Sequence, residues 1–456
     1  MGEYLSFNLR IDKMRLANYR NIREMEIGFD SSLTVLIARN SGGKSALLQA
    51  LATALFPFTY ALGCDAGVRG FAPHDHRLVL QKGGGTTRAA DDMRILCNAA
   101  LNGSEVAWEI SRSSQGVRPP TRVRRAAALK DQAYALKRLN EAYETQDAPY
   151  VVAPVIVFYD SRRQSRRLTS SRKAASKDRF EGYSQCLTTG DSSAIFRDWF
   201  IRLSKALTDN HDNEQLRESI RTKLDTVREA IDEVLKPTGF HDLHYDSEIK
   251  ALVVFDANDV ELRIEQMSDG IWNICSLVAD IAHRAVRLNP GLRPCVGENG
   301  RRVLPLGCIG GIAMIDEVDM YLHPKWQQQI LASLRKIFPR VQFIVSTHSP
   351  QVLSTAKKEQ IRIISIEEDG SGFAITPGVS PFGRAASIAL EQVMNTNEVP
   401  ELFEDRGRLL EMQLAFRRGD FARGEKLRRE LAEAGFEVDD EDIVMWKFIA
   451  GEQEGQ

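Results

Sequence analysis

From Ala38 to Ser45 the chain reads ARNSGGKS, two glycines ahead of a lysine and a serine, between an apolar strand run, TVLIA, and a helical run, KSALLQALATAL. Strand, Gly-containing loop and helix in that order is the context of a phosphate-binding loop. Successive backbone N–H groups in such a loop form an anion nest, and the helix N-terminus adds its dipole. Lys44 would reach the β- and γ-phosphates of a nucleotide, and the Ser45 hydroxyl would ligate Mg2+. Asn40, Ser41, Gly42 and Gly43 supply the body of the loop. The match is incomplete, because the pattern G-x-x-x-x-G-K-[ST] asks for glycine where Ala38 stands, and the version G-x-N-G-x-G-K-S also asks for it at Ser41. A positive φ at Ser41 would cost on the order of 1 kcal/mol. That predicts a weakened nest which retains nucleotide but turns it over poorly.

Three further pieces fit the same chemistry. GIAMIDE, Gly311 to Glu317, is an apolar strand run closed by adjacent carboxylates, with Asp316 placed for Mg2+, directly or through water, and Glu317 for polarising an attacking water. An isolated pair of this kind is more simply a buried strand ending in a solvated turn; the phosphate loop upstream changes that reading. QFIVSTHSP ends another strand at Thr347 and His348, where an imidazole could sense a γ-phosphate. Finally, Met267-Ser268-Asp269-Gly270 opens the helix IWNICSLVADIAHRAV. Ser268 is a good N-cap, but such a helix start is also an anion site, suited to a γ-phosphate presented by a second subunit. The four pieces would form one nucleotide site assembled across two copies.

The elements that must position these residues alternate along the chain. IDKMRLANYRNIREMEIGF alternates apolar positions, and RILCNAAL with EVAWEIS reads as a returning pair of strands. One helix is expected around Ala126 to Tyr143, then a buried strand, VVAPVIVFYD. The region from Ser192 to Leu235 is helical, with Leu216, Ile220, Leu224, Val227 and Ile231 at spacings of three and four. After Tyr245 strand, helix and strand alternate again to about Ile366.

The 456 residues give a prior of about three compact units, with core enough to need no disulfide staples. Lys plus Arg is 60 against 62 for Asp plus Glu, a net charge of −2, so any nucleic-acid surface must be local. With 43% hydrophobic and 27% charged residues, neither wholesale disorder nor a membrane protein is indicated. No apolar run approaches the roughly 20 residues of a membrane span, and MGEYLSFNLRIDK has no signal-peptide core, so a cytoplasmic location is expected. The six cysteines show no metal-ligand spacing and are read as reduced, mostly buried thiols.

The order and wording of NYRNI, MSDG, IDEVDMYLHPKWQ and STHSPQVL resemble the ABC-type ATPase heads of the RecF, SMC and OLD proteins. More narrowly, APVIVFYDSRR, FRDWF, the LNP of AVRLNP and PFGR resemble the predicted ATP-binding family that includes the PtuA ATPases of Septu and retron anti-phage systems. The resemblance implies an α/β fold: an ABC-type P-loop ATPase head, its mixed sheet flanked by helices, with an inserted helical region and a helical C-terminal tail. It divides the chain into residues 1–112, the first part of the head; 113–245, an inserted basic and helical region; 246–380, the second part with signature, Walker B and switch histidine; and 381–456, the tail. It implies ATP and Mg2+ at Lys44 and Ser45, Asp316 in the metal's shell, Glu317 as base, His348 as switch, and Ser268 and Gly270 as contacts made in trans by a homodimer or higher oligomer of heads. Arg20, in the YRN turn, becomes a candidate phosphate contact and Gln164 a candidate Q-loop residue.

The function so implied is an ATPase subunit of an anti-phage complex that controls a separate nuclease of HNH type. Two alternatives differ in class. A RecF- or SMC-like DNA-repair ATPase would share the site without the defence role. A self-contained OLD-type nuclease would need a further metal domain, yet after Ser354 the sequence offers only EEDGSG, read as a hairpin turn. The run from Arg162 to Arg179 carries eight Lys or Arg and is either a solvated loop or a surface for a nucleic-acid backbone. His74 and His76 have no ligand cluster beside them and read as loop histidines. In the tail, Leu409, Leu410, Leu414 and Phe416, then Phe421, Leu427 and Leu431, predict a helical hairpin turning at Gly419-Asp420, a candidate docking surface for the nuclease.

Overall fold

A computed structural model describes residues 5–38, 42–68, 70–80, 87–89, 91–115, 121–145, 149–161, 178–188, 192–210, 212–292, 295–296, 302–303, 305–394 and 406–433. The chain forms two compact units, Met1–Ala389 and Leu390–Gln456.

The first unit is built on a six-stranded sheet in the order Val155–Tyr159, Gly311–Ile315, Val341–Ser346, Leu33–Ala38, Ile361–Ile366, Gly372–Ile375. The first five strands are parallel and the last is antiparallel. The runs VIVFY, GIAMI and VQFIVS are buried at every position. Near-continuous apolar strands of this kind are what a parallel sheet covered on both faces requires. The antiparallel strand returns through EEDGSG, the expected hairpin turn.

The second layer is an antiparallel sheet, Ile22–Gly28, Leu9–Tyr19, Met93–Leu101, Ser104–Arg112 and Thr121–Arg124 in spatial order. Met93–Leu101 turns alternate side chains inward, the pattern of a sheet with one packed face. The helix Lys44–Ala61 packs against both sheets and is buried at all but a few positions, which its sequence, apolar on every face, demands.

A second long helix, Asp269–Leu288, is tied along its length to the outermost parallel strand. Asp280 and Arg284, both buried, form an ion pair of 2.8 Å, and the Tyr159 hydroxyl donates to the same carboxylate oxygen at 2.7 Å. The guanidinium also donates to the carbonyls of Gly182 and Ser184. At the helix end, the Asn289 amide brackets the Ala153 backbone, accepting from its N–H and donating to its carbonyl. Burial alone would raise the Asp280 carboxyl, but Arg284 and His283 outweigh it and hold the group below its ordinary range.

The helices Ser192–Asp209 and Glu214–Leu235 stand where the apolar spacing put them. Ile220, Leu224, Val227 and Ile231 are buried, but Leu216 is exposed. Among the described residues no helix is long and apolar enough to cross a membrane. Cys64, Cys97, Cys186 and Cys275 are free thiols, whereas Cys308 is disulfide-bonded, which corrects the reading of six reduced cysteines.

The second unit contains a helical hairpin, Arg406–Arg417 and Phe421–Glu433, turning through Gly419 at φ 78°. Leu409, Met412, Phe416, Leu427 and Leu431 form its buried seam, leaving Leu410, Leu414 and Phe421 exposed.

Candidate nucleotide site

The carboxy ends of the parallel strands bring three of the four predicted pieces together, the helix start at Ser268 and Gly270 standing apart. Leu33–Ala38 leads toward the phosphate loop, of which Arg39, Asn40 and Ser41 lie outside the described residues. Gly43 closes the loop at φ 87°, where a Cβ would be strained and would come within 2.8 Å of Ile366. Lys44 begins the helix without an intervening turn, and Ser45 is exposed on its first turn.

The Lys44 ammonium is buried, 2.8 Å from His348 Nε2 and 3.4 Å from the Ala38 carbonyl. An ammonium only donates, so Nε2 accepts and the ring carries its proton on Nδ1. Burial lowers the lysine below its usual range, opposed by the field of Asp316, Glu317 and Asp319. Five residues brought in by the ends of two strands and the start of a helix therefore share one electrostatic site. His348 is exposed, so it faces the space in front of the loop.

Asp316, 1% exposed, follows its strand directly; its backbone N–H donates to the Tyr159 carbonyl of the neighbouring strand at 2.8 Å. Its Oδ1 accepts a 2.5 Å hydrogen bond from Ser346 Oγ, and the same Oγ accepts from the Glu317 N–H at 2.8 Å. Glu317 is left-handed at φ 49°, a conformation that costs an L-residue roughly 1–2 kcal/mol. One step along, Thr347 Oγ1 donates to Asp319 Oδ1 and accepts from the Ser349 N–H at 2.9 Å. Ser346, Thr347 and Asp319 were not singled out for these roles by sequence; the available signals were the spacing of DEVD and the hydroxyl pair ahead of the histidine.

Ser268 occupies the N-cap position of Asp269–Leu288, but its side chain makes no cap hydrogen bond, so capping does not account for it. Gly270 is required by contact: a Cβ there would lie 2.2 Å from the Tyr321 carbonyl oxygen. Asn273 Nδ2 reinforces that junction by donating to the Met320 carbonyl at 3.0 Å. Ser268, Gly270, Tyr321, His323, Lys325 and Trp326 are among the residues lining an open groove of about 850 Å³, which includes neither Lys44 nor the three carboxylates.

Arg20 is left-handed at φ 53°, and its Nε and Nη2 both donate to Oδ1 of buried Asp75, at 2.9 and 2.8 Å. Its charge is thus already engaged. His74 is exposed beside Asp75 at 3.8 Å, and His76 contacts the Asp91 carbonyl at 3.2 Å. Gln164 and residues 162–177 of the basic run lie outside the described residues. Arg179, the last member of that run, is buried, donating to Asn140 Oδ1 and the Val151 carbonyl.

The two residues that sequence assigned to a metal, Ser45 and Asp316, both offer oxygen, the donor type Mg2+ takes. Among the described residues no three His, Cys, Asp or Glu side chains could hold a metal by themselves.

A family model described as "AAA domain, putative AbiEii toxin, Type IV TA system" matches residues 124–354, just over half of the chain. Among curated proteins, the chain is similar to the "Retron Vc95 probable ATPase" of Vibrio cholerae, 39% identical over 191 residues, covering 42% of this chain and 34% of that protein. The "Retron Ec83 probable ATPase" of Escherichia coli is 26% identical, covering 86% of this chain and 77% of that one. The Septu protein PtuA of Bacillus thuringiensis is 25% identical over 179 residues, covering 38% and 40%. The match to the first of these thus spans about a third of that relative's length. Among solved structures, an Smc head bound to the C-terminal winged-helix domain of ScpA aligns with TM-score 0.47 and 15% identity, covering 80% of this chain and 98% of that one.

Proposed function

The chain belongs to this family of AAA-domain proteins, and we propose that it is an ABC-type ATPase subunit of an anti-phage defence complex, binding and hydrolysing ATP to control a separate nuclease. One observation carries the catalytic part of this reading: Lys44, His348, Asp316, Glu317 and Asp319 converge at the carboxy ends of parallel strands beside the start of a buried helix. Ligands of open α/β sheets bind at that edge. The retron and Septu similarities support the defence setting.

In this mechanism Lys44 and the N–H groups at the start of its helix hold the phosphates. Glu317, held in a left-handed turn at the strand end, accepts a proton from the attacking water, and His348 exchanges its contact with Lys44 for one with the γ-phosphate. Mg2+, held by Ser45 and the shell of Asp316, would neutralise phosphate charge. Ser268 and Gly270 line a groove separate from the Lys44 cluster, which supports a nucleotide held between two heads, each contributing the start of its Asp269–Leu288 helix to the other's site. The exposed Leu410, Leu414 and Phe421 of the hairpin supply a surface for an HNH-type nuclease, and the basic composition of residues 162–177 makes them the candidate contact for nucleic acid.

An ATPase assay with and without DNA tests the reading. Wild type should hydrolyse ATP, and Glu317→Gln should bind it without turnover and accumulate as a dimer. Hydrolysis by Glu317→Gln at the wild-type rate would overturn the assignment of the base. Removal of the residues after Gln392 should leave nucleotide binding intact and abolish capture of a nuclease encoded beside this chain; retained capture would move the docking site elsewhere.

A further inference from the structure

The Ser346 hydroxyl is a single group in contact with two residues that the proposed mechanism uses separately. It is fully buried at the end of Val341–Ser346, and it lies beside Asp316 because that strand pairs in parallel with Gly311–Ile315, Val345 opposite Ile315. Its one proton is committed to Asp316 Oδ1, and its oxygen accepts the Glu317 N–H. The Ser346 carbonyl accepts from the Val318 N–H at 3.0 Å. Three consecutive residues, 316 to 318, are thereby held by one residue of the next strand.

The polarity of this arrangement is fixed. A hydroxyl with one hydrogen can accept from an amide and donate to an ionised carboxylate, but the reverse is closed to it because the amide has nothing to accept with. The left-handed turn at Glu317 needs such an external hold, since nothing in a glutamate favours φ 49°. Without the hydroxyl, the carboxylate loses a donor that orients it and the turn loses one of its two anchors.

We infer that Ser346 is the positioning residue that sets both carboxylates of the site, aiming Asp316 at the metal and Glu317 at the water. This rests on the ATPase reading. Partners that orient a metal's ligands typically govern affinity or rate roughly 10- to 100-fold when removed, and that is the effect expected here.

The test compares wild type, Ser346→Ala and Ser346→Thr, each first checked for an unchanged melting profile. ATP affinity is measured in EDTA and in Mg2+, alongside steady-state turnover. Ser346→Ala should match wild type in EDTA, lose most of the affinity gained on adding Mg2+, and lower kcat roughly 10- to 100-fold; Ser346→Thr, which keeps the hydroxyl, should recover both. Wild-type metal dependence and kcat in Ser346→Ala would overturn the inference, as would a threonine variant impaired as deeply as the alanine. If wild type itself binds ATP no better with Mg2+ than without, the ATPase reading fails, and the inference fails with it.

Discussion

Replacing Lys44 by methionine keeps most of the side-chain volume and removes only the charge. The ammonium sits buried, 2.8 Å from the imidazole that is proposed to follow the γ-phosphate. A phosphate oxygen taking up that position would lie about 4 Å or less from the nitrogen. At an effective dielectric of about 20, two unit charges at that separation attract by about 4 kcal/mol, which is roughly a thousandfold in affinity at 1.4 kcal/mol per decade. The loss should be graded by phosphate count, so ATP and ADP, AMP and adenosine are compared by calorimetry on Lys44→Met and wild type. ATP should weaken by about three orders of magnitude, with adenosine hardly affected. Unchanged ATP affinity would refute the placement of the phosphates at Lys44. An equal loss for adenosine would show that the substitution collapsed the pocket and that the charge argument is wrong.

Gly270→Ala must move the start of its helix by roughly 1 Å to clear the Tyr321 carbonyl, and a displacement of that size can cost about a hundredfold in rate; kcat should fall while single-head ATP affinity holds, and an unaltered kcat would separate this junction from catalysis. Arg284→Ala strands the buried Asp280 carboxylate and two carbonyls, a change expected to cost about 3–5 kcal/mol. Over a unit of this size, at about 2.1 cal/mol/K per residue, that is a fall in Tm of roughly 4 to 6 °C, and a fall under 1 °C by calorimetry would contradict it. His283 is buried, and desolvation holds it below the ordinary imidazole value of about 6.5 despite the nearby Asp280. The unfolded chain therefore takes up a proton below pH 6.5 that the folded chain resists, so stability is intact above that pH and erodes as pH falls beneath it. Denaturant titrations from pH 8 to pH 5 should show a shallower decline in His283→Phe than in wild type; parallel curves would remove His283 from the acid response.

Lys44, Asp316, Glu317 and His348 were legible in the sequence because each ends or begins a short apolar run, and chemistry at a strand's carboxy end has few structural explanations. Which strands lie side by side was not legible. Ser346 gains its role only from lying beside Gly311–Ile315, a pairing set by register between segments some thirty residues apart. Asp280 and Arg284, four apart on a helix, carry no sequence signal of their importance, which comes from burial against the Tyr159 strand. Arg179 was misleading in the opposite sense, counted with a basic run although its guanidinium is inside. In the tail, helical spacing grouped Leu410 and Leu414 with Leu409 and Phe416, but a two-helix hairpin covers only one side of each helix.

Residues 162–177 lie outside the described residues, and the chain is clamped on either side of them. Tyr159 is fastened to Asp280, while Arg179 is fastened to Asn140 and Val151, and the carbonyls of Gly182 and Ser184 to Arg284. The strand beside Asp316 is therefore pinned by fastenings of its own, Tyr159 to the long helix and Val155–Tyr159 to Gly311–Ile315, as a beam is pinned at both ends, and its register does not depend on what the intervening residues do.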